Sequence, residues 1–317
     1  MPSSLDRRTF LGASLGTGLT TSLTTSAISP ASAAALPPTV AAVAGTSYRE
    51  GAKFKYRKAC KYGMTKGRSL RERFQSAKDA GFDGVEMDSP NGMSVQDVVK
   101  AAQEVGIRIP GVVDSVHWRI TLSDADPAKR EEGRQALETA IRDSHAYGGT
   151  SVLLVPAVCG GSVSEADAWS RSIEEIRKTL PLAAELGIHV LIENVWNRFL
   201  YDHDGPNTQS AEKFAAYLDA IDSPWVGAYF DIGNHQKYGR PSDWIRTLGS
   251  RLVKCDVKDW GIQSGWARIG DGDVDWSAVN QSLSDIGFTG WVSAEVGGGD
   301  TEYLRTVAER VDRVFSL

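Results

Sequence analysis

Four acids in the second half of the chain each stand where an apolar run stops or is about to stop. Glu193 follows Ile188–Ile192, Asp231 follows Val226–Phe230, Asp256 lies near the end of Leu252–Val257, and Glu295 follows Trp291–Ala294. Such runs read as buried parallel strands. An ionised carboxylate leaves water at high cost unless something positive meets it. A single acid of this kind is an ordinary loop residue, but recurrence at four strand ends asks for a common cause. If the strands lie side by side, the four carboxylates raise one another's pKa, and a divalent cation relieves the repulsion. An all-oxygen donor set favours hard ions, Mn²⁺ or Mg²⁺, over metals that prefer thiolate or imidazole. The plain alternative is that these acids pair with Lys and Arg.

Strand-like and helix-like patterns alternate from Lys58 to the C-terminus, with no change of composition that would mark a second domain. The strands read as Lys58–Met64, Gly84–Met87, Ile107–Asp114, Ser151–Val155, Ile188–Ile192, Val226–Phe230, Leu252–Val257 and Trp291–Ala294. Helices fill the gaps at Ser69–Ala80, Ser94–Val105, Pro127–Tyr147, Ser164–Leu186, Ser210–Ile221, Pro241–Leu248, Asp275–Ile286 and Thr301–Val314. Several open on a Ser or Asp cap and close on Gly. Eight strands, each followed by a helix, predict an α/β fold, a (β/α)₈ TIM barrel, over residues 53–317. A Rossmann sheet is disfavoured because no G-x-G-x-x-G joins a strand to a helix. In a barrel the C-terminal strand ends converge on one mouth, which brings the four acids together.

Six pieces of sequence, in order, carry a resemblance: Gly81-Phe82-Asp83-Gly84-Val85-Glu86, Ile192-Glu193-Asn194, Phe230-Asp231-Ile232-Gly233-Asn234, Asp256-Val257-Lys258-Asp259, Gly270-Asp271-Gly272-Asp273-Val274-Asp275-Trp276 and Ala294-Glu295-Val296. The chain resembles the sugar isomerase/epimerase family with a xylose-isomerase-like barrel, which includes tagatose 3-epimerase, hydroxypyruvate isomerase and inosose dehydratase. The resemblance implies one divalent metal held by Glu193, Asp231, Asp256 and Glu295. It also implies that Glu193 and Glu295 double as the acid/base pair that moves a carbon-bound proton through an enediolate. The sequence departs from the family pattern at Asp256, where a His is usual, and at Asn234, where relatives often carry a His; His235 is the nearest substitute.

Other mouth residues are candidates for substrate contact. His117 and Trp118 follow the third strand, and Lys258 has the strand parity of Asp256 and points the same way. Glu86, Asn197, Asn234 and Arg268 complete the set. Tryptophans near strand ends (Trp118, Trp196, Trp260, Trp266) suit a carbohydrate pocket. Gly297-Gly298-Gly299 reads either as a backbone cradle for a hydroxyl or phosphate or as a turn. His145 and His189 read as structural.

The N-terminus has a different character. Asp6-Arg7-Arg8-Thr9-Phe10-Leu11 opens a mildly hydrophobic stretch that ends near Ala31-Ser32-Ala33, which resembles a twin-arginine export signal over residues 1–35. Residues 36–52 read as a flexible leader. The twin-arginine export machinery is then a partner, and a periplasmic or secreted location follows. Too few solidly apolar residues are present for a membrane anchor. Removing residues 1–35 deletes one acid and two arginines, taking the net charge from −5 to −6. With no basic tract, a nucleic-acid partner is disfavoured. Three separated cysteines, Cys60, Cys159 and Cys255, form neither a metal motif nor a disulfide framework. A homo-oligomer is compatible with the chain.

The reading favoured by these residues is a metal-dependent isomerase or epimerase of a keto-sugar, free or glycosidic rather than phosphorylated. A lyase would use the same metal site for β-elimination. A sugar-binding barrel without catalysis would keep only the scaffold. An endonuclease on this barrel would need a zinc cluster of several histidines, and only five His are present.

Overall fold

Eight parallel strands close into a barrel in the computed structural model, which describes residues 56–317. The signal segment and the leader expected at 1–35 and 36–52 lie outside the described residues. The first half runs β1 (Arg57–Lys61), α1 (Leu70–Asp79), β2 (Gly84–Ser89), α2 (Val95–Val105), β3 (Val112–Asp114), α3 (Pro127–Ala146), β4 (Ser151–Leu154) and α4 (Glu165–Leu186). The second half begins with β5 (His189–Glu193), α5 (Glu212–Ile221), β6 (Val226–Asp231), α6 (Ile232–Gln236), α7 (Pro241–Leu248) and β7 (Leu252–Val257). A hairpin of β8 (Asp259–Gly261) and β9 (Gly265–Ala267) follows, then α8 (Trp276–Asp285), β10 (Trp291–Ala294) and α9 (Thr301–Phe315). β10 pairs with β7 on one side and β1 on the other, which closes the ring. Among the described residues no helix is long and apolar enough to cross a membrane.

Local chemistry explains most boundaries. Ser69, Ser94, Asp126, Ser164 and Asp275 each accept a backbone N–H of the helix they open. Gly106 and Gly187 close α2 and α4 in the left-handed conformation. The third strand is shorter than its apolar run suggests. Pro110 has no N–H to give, so pairing is interrupted after the single bridge at Arg108 and resumes at Val112. The first strand ends at Lys61, and Tyr62–Met64 turn instead into a 3₁₀ coil.

Strand parity sorts the barrel interior into layers. Lys61, Glu193, Asp231, Asp256 and Glu295 share the inward side with the residue two positions before each of them. The pairing of Glu193 with Tyr229 and of Asp231 with Asp256 holds neighbouring strands in register at the mouth. Below them lie Leu191, Tyr229, Lys254 and Ser293, all buried. Leu153, Leu191 and Tyr229 form a small apolar plug of their own, separate from the larger core between strands and helices.

The short α6, unforeseen in the sequence, crosses the end of β7 at close range. A β-carbon on Gly233 would sit 2.5 Å from Lys258 Cβ and 2.7 Å from its carbonyl carbon. Only a residue without that atom lets α6 lie against the strand that carries Asp256 and Lys258. Gly233→Ala is expected to lower stability by about 1–3 kcal/mol through overpacking, measured by chemical denaturation. An unchanged midpoint would show that α6 is free to move away.

Candidate metal centre and active site

One oxygen from each of Glu193, Asp231, Asp256 and Glu295 lies within 4.8 Å of the others. Each side chain is delivered by the end of its own strand. Asn194 ties β5 to β6: its Oδ1 accepts from Asp231 N at 2.7 Å and its Nδ2 donates to Asp231 O at 2.9 Å. Asp231 Oδ1 accepts from Asn234 N at 2.7 Å and so caps α6, which leaves Oδ2 for the cluster. Asn234 donates to Asn194 O at 3.0 Å and reaches Glu193 Oε1 at 3.4 Å.

Three ammonium groups meet these acids. Lys258 Nζ lies 2.8 Å from Asp231 Oδ2 and also contacts Glu295 Oε2. Lys61 Nζ is 2.9 Å from Asp256 Oδ1 and 2.7 Å from Glu86 Oε2. Lys254 Nζ is 3.0 Å from Glu86 Oε1. Fully ionised, these five carboxylates against three ammoniums would leave two negative charges, which one divalent cation would balance. Asp256 Oδ2 is buried with no partner, and Asp231 Oδ2, Asp256 Oδ1 and Glu295 Oε2 are met by lysine ammoniums alone. Carboxylate oxygens gathered in so small a volume are what a hard cation requires. The donor set fits Mn²⁺ or Mg²⁺.

Ionisation differs sharply across the cluster. Burial pushes Glu193 well above the usual carboxylate range, and the Glu295 charge adds to this. Burial likewise raises Asp256 and Asp231, against the pull of Lys61 and Lys258 respectively. Glu295 also loses water, but Lys258 and Lys61 outweigh that and hold it below the usual range. The two glutamates are thus shifted in opposite directions.

The remaining candidates separate into groups. Lys258 and Asn234 lie in the cluster itself. His117 is buried; its Nδ1 accepts from Val155 N at 3.0 Å, which leaves the proton of the neutral ring on Nε2. Burial pushes this imidazole down to about 3. Trp118 stands half exposed beside it. Arg268 is exposed on a cavity of about 650 Å³ that opens at Lys258 and Glu295.

Glu86 and Asn197 are placed apart from the four-acid cluster. β2 runs on to Ser89, so Glu86 sits one layer below the mouth, held by Lys61, Lys254 and the Tyr229 hydroxyl at 2.6 Å. Asn197 is buried with its amide committed to Ala157 O at 2.7 Å and its carbonyl to Phe199 N at 3.1 Å. His235, the suggested proton carrier, lies in an aromatic stack 3.8 Å from Trp244. The triple glycine is irregular chain packed against Met64: Gly299 N donates to Met64 O at 3.0 Å. The sequence reading overlooked Lys61 and Asp88. Burial raises Asp88, and Lys61 and Glu295 act on it electrostatically. A lysine closing an otherwise buried strand was the available signal for Lys61.

Residues 74–312 match the family model described as the xylose isomerase-like TIM barrel. The chain belongs to this family. A curated member, the L-ribulose-5-phosphate 3-epimerase UlaE of Escherichia coli, is 27% identical over 234 residues, covering 69% of this chain and 79% of the relative. The structure of D-allulose 3-epimerase from Methylomonas sp. with D-allulose superposes with a TM-score of 0.66 at 18% identity, covering 81% of this chain and 96% of that one. The 3-keto-D-glucoside 4-epimerase YcjR of E. coli gives 0.68 at 17% identity, covering 83% and 100%. Family membership accounts for the barrel; the acid cluster is read from this chain's own side chains.

Two measurements test the electrostatics. Mn²⁺ at about a hundred times its Kd is expected to stabilise chelator-treated protein by about 2.7 kcal/mol. Glu193→Gln mimics the protonated form and is expected to keep the metal-free stability within about 1 kcal/mol while losing the metal-induced rise; a full rise in the variant would remove Glu193 from the centre. His117 stays neutral in the fold but takes a proton below 6.5 when unfolded, so its contribution is present at neutral pH and fades as pH falls. The stability advantage of wild type over His117→Gln is expected to shrink by up to about 3 kcal/mol between pH 6.5 and pH 4, read from denaturation at each pH.

Proposed function

We propose that this barrel is a divalent-metal-dependent isomerase or epimerase of a keto-sugar, working through an enediolate. The observation that carries the reading is the convergence of four carboxylates from four strand ends, one oxygen of each within 4.8 Å of the others. Glu193, Asp231, Asp256 and Glu295 would hold the cation, which when bound acidifies the carbon-bound proton next to a ketone by drawing on its oxygen. Glu295, kept ionised by Lys258 and Lys61, takes that proton. Glu193, the other glutamate of the cluster, returns a proton to the carbon from the other face. Return to the same carbon inverts it; return to the neighbouring carbon isomerises the sugar. Lys258 anchors Glu295 and Asp231 together, and the His117 Nε2–H is a fixed neutral donor for a substrate oxygen.

Support comes also from the relatives, which are named as epimerases of L-ribulose 5-phosphate, D-allulose and a 3-keto-D-glucoside. We read residues 1–35 as a twin-arginine signal, which would place the enzyme outside the cytoplasm. Phosphorylated sugars are then poor candidates, and a free or glycosidic ketose is preferred.

In deuterium oxide, wild-type protein supplied with Mn²⁺ is expected to exchange a carbon-bound proton of its ketose substrate. Glu295→Gln is expected to lower that exchange by about 10²–10⁴-fold, followed by NMR. Retained exchange would release Glu295 from the base role. Product mass separates the chemistries, since isomerisation conserves it and elimination does not.

A further inference from the structure

A cation site for one ketose needs only the inner end of the cavity, at Glu295 and Lys258. The cavity continues outward between the β8–β9 hairpin and α9, and its volume of about 650 Å³ lies well within the roughly 300–1,000 Å³ of pockets for multi-ring ligands. Its outer walls are not those of an idle groove. Among the described residues the exposed large hydrophobics are Trp118, Ile262, Trp266 and Tyr303. Trp266 and Tyr303 line this cavity, from the hairpin and the first turn of α9 respectively.

The Trp266 ring is pre-positioned. It stacks at 4.9 Å and 23° on Trp196, whose own indole N–H is fixed to Asn234 O at 2.8 Å. Half of the Trp266 surface nevertheless stays bare. The hairpin that carries it is rigid at its base. Asp259 accepts from Trp260 N at 2.9 Å, from Gly270 N at 2.8 Å and from Trp276 Nε1 at 3.0 Å. An aromatic face held still and left uncovered is a platform for the apolar face of a pyranose ring. Polar recognition is available beside it. Arg310 is committed to Asp271 at 2.9 Å and Ile269 O at 2.8 Å, whereas the Arg268 guanidinium makes no hydrogen bond or ion pair among the described residues.

We propose that this outer cavity is a second-ring subsite, and that the substrate is a keto-sugar carrying another sugar through a glycosidic bond. The added ring stacks on Trp266 opposite Tyr303, and Arg268 donates to its hydroxyls. The inference rests on the keto-sugar reading of the acid cluster and narrows its substrate class.

Tryptophan-fluorescence titration of the full chain with Mn²⁺ tests it. The probes are D-fructose, D-fructose 6-phosphate and three glucosyl-fructoses (turanose, maltulose and isomaltulose). At least one glucosyl-fructose is expected to bind about tenfold more tightly than D-fructose. Trp266→Ala and, separately, Arg268→Ala are each expected to cut that ratio about tenfold. Equal affinity for free and glucosylated ketose, preference for the phosphate ester, or a ratio unmoved by both variants would overturn the subsite. If D-fructose binds and exchanges its proton without such a preference, only the subsite falls. If no ketose binds and none exchanges, the keto-sugar reading falls with it.

Discussion

Mutual repulsion among Glu193, Asp231, Asp256 and Glu295 is the constraint around which this molecule is arranged. Two like charges about 4 Å apart repel by about 4 kcal/mol even at an effective dielectric of about 20, and Asp231 and Asp256 have no exposed surface at all. A fold assembled for stability alone has no reason to collect them. Their positions are enforced by covalent and hydrogen-bonded structure. The strands fix the starting points, Asn194 locks β5 to β6, and Asp231 is tied down by capping α6. Since the carboxylates cannot move apart, burial raises Glu193, Asp231 and Asp256 against the pull of the lysines, and Glu295, drawn on by both Lys258 and Lys61, is held below the usual range.

The layer beneath keeps this strain local. Glu86 receives Lys61, Lys254 and the Tyr229 hydroxyl, so a charge inside the barrel has every nearby donor it needs. Buried ion pairs of this kind add little net stability, yet removing one partner leaves the other uncompensated and costs about 3–5 kcal/mol. The network therefore acts less as glue than as a fixed electrical floor under the mouth. It shares Lys61 with the acid cluster, and through Lys61 the two layers are electrically one unit.

Much of this was readable from residue order. The eight strands, most helix starts and the four acids follow from periodicity, capping residues and the oddity of an acid ending an apolar run. What was not readable depends on register. Glu86 and Asp88 alternate on the same strand face, and only the pairing of Lys61 with Glu86 shows which of them reaches the mouth. Lys61 looked like the middle of a strand because the turn at Tyr62–Met64 is apolar. Asn197 looked available because nothing in its neighbours reveals that the loop folds back on Ala157. The five-residue α6 and three-residue hairpin strands fall below the length at which a period can be seen, although Gly233 and Asp259 are the residues that make them possible.

Asp256 is the position where this chain departs from the pattern it otherwise resembles, and Lys61 explains why the departure is tolerable. An imidazole there would be neutral, and the acid cluster would carry three carboxylates. An aspartate adds a fourth negative charge, but Lys61 stands 2.9 Å from it and cancels it. Lys61 can do so because Glu86, its other partner, is already balanced by Lys254. With Asp256 offset by Lys61, the remaining acids are Glu193, Asp231 and Glu295, against which Lys258 stands in either case, while the donor atom has changed from nitrogen to oxygen. The aspartate at one strand end is thus coupled to a lysine on a strand at the far side of β10, and an all-oxygen donor set of this kind would favour harder ions.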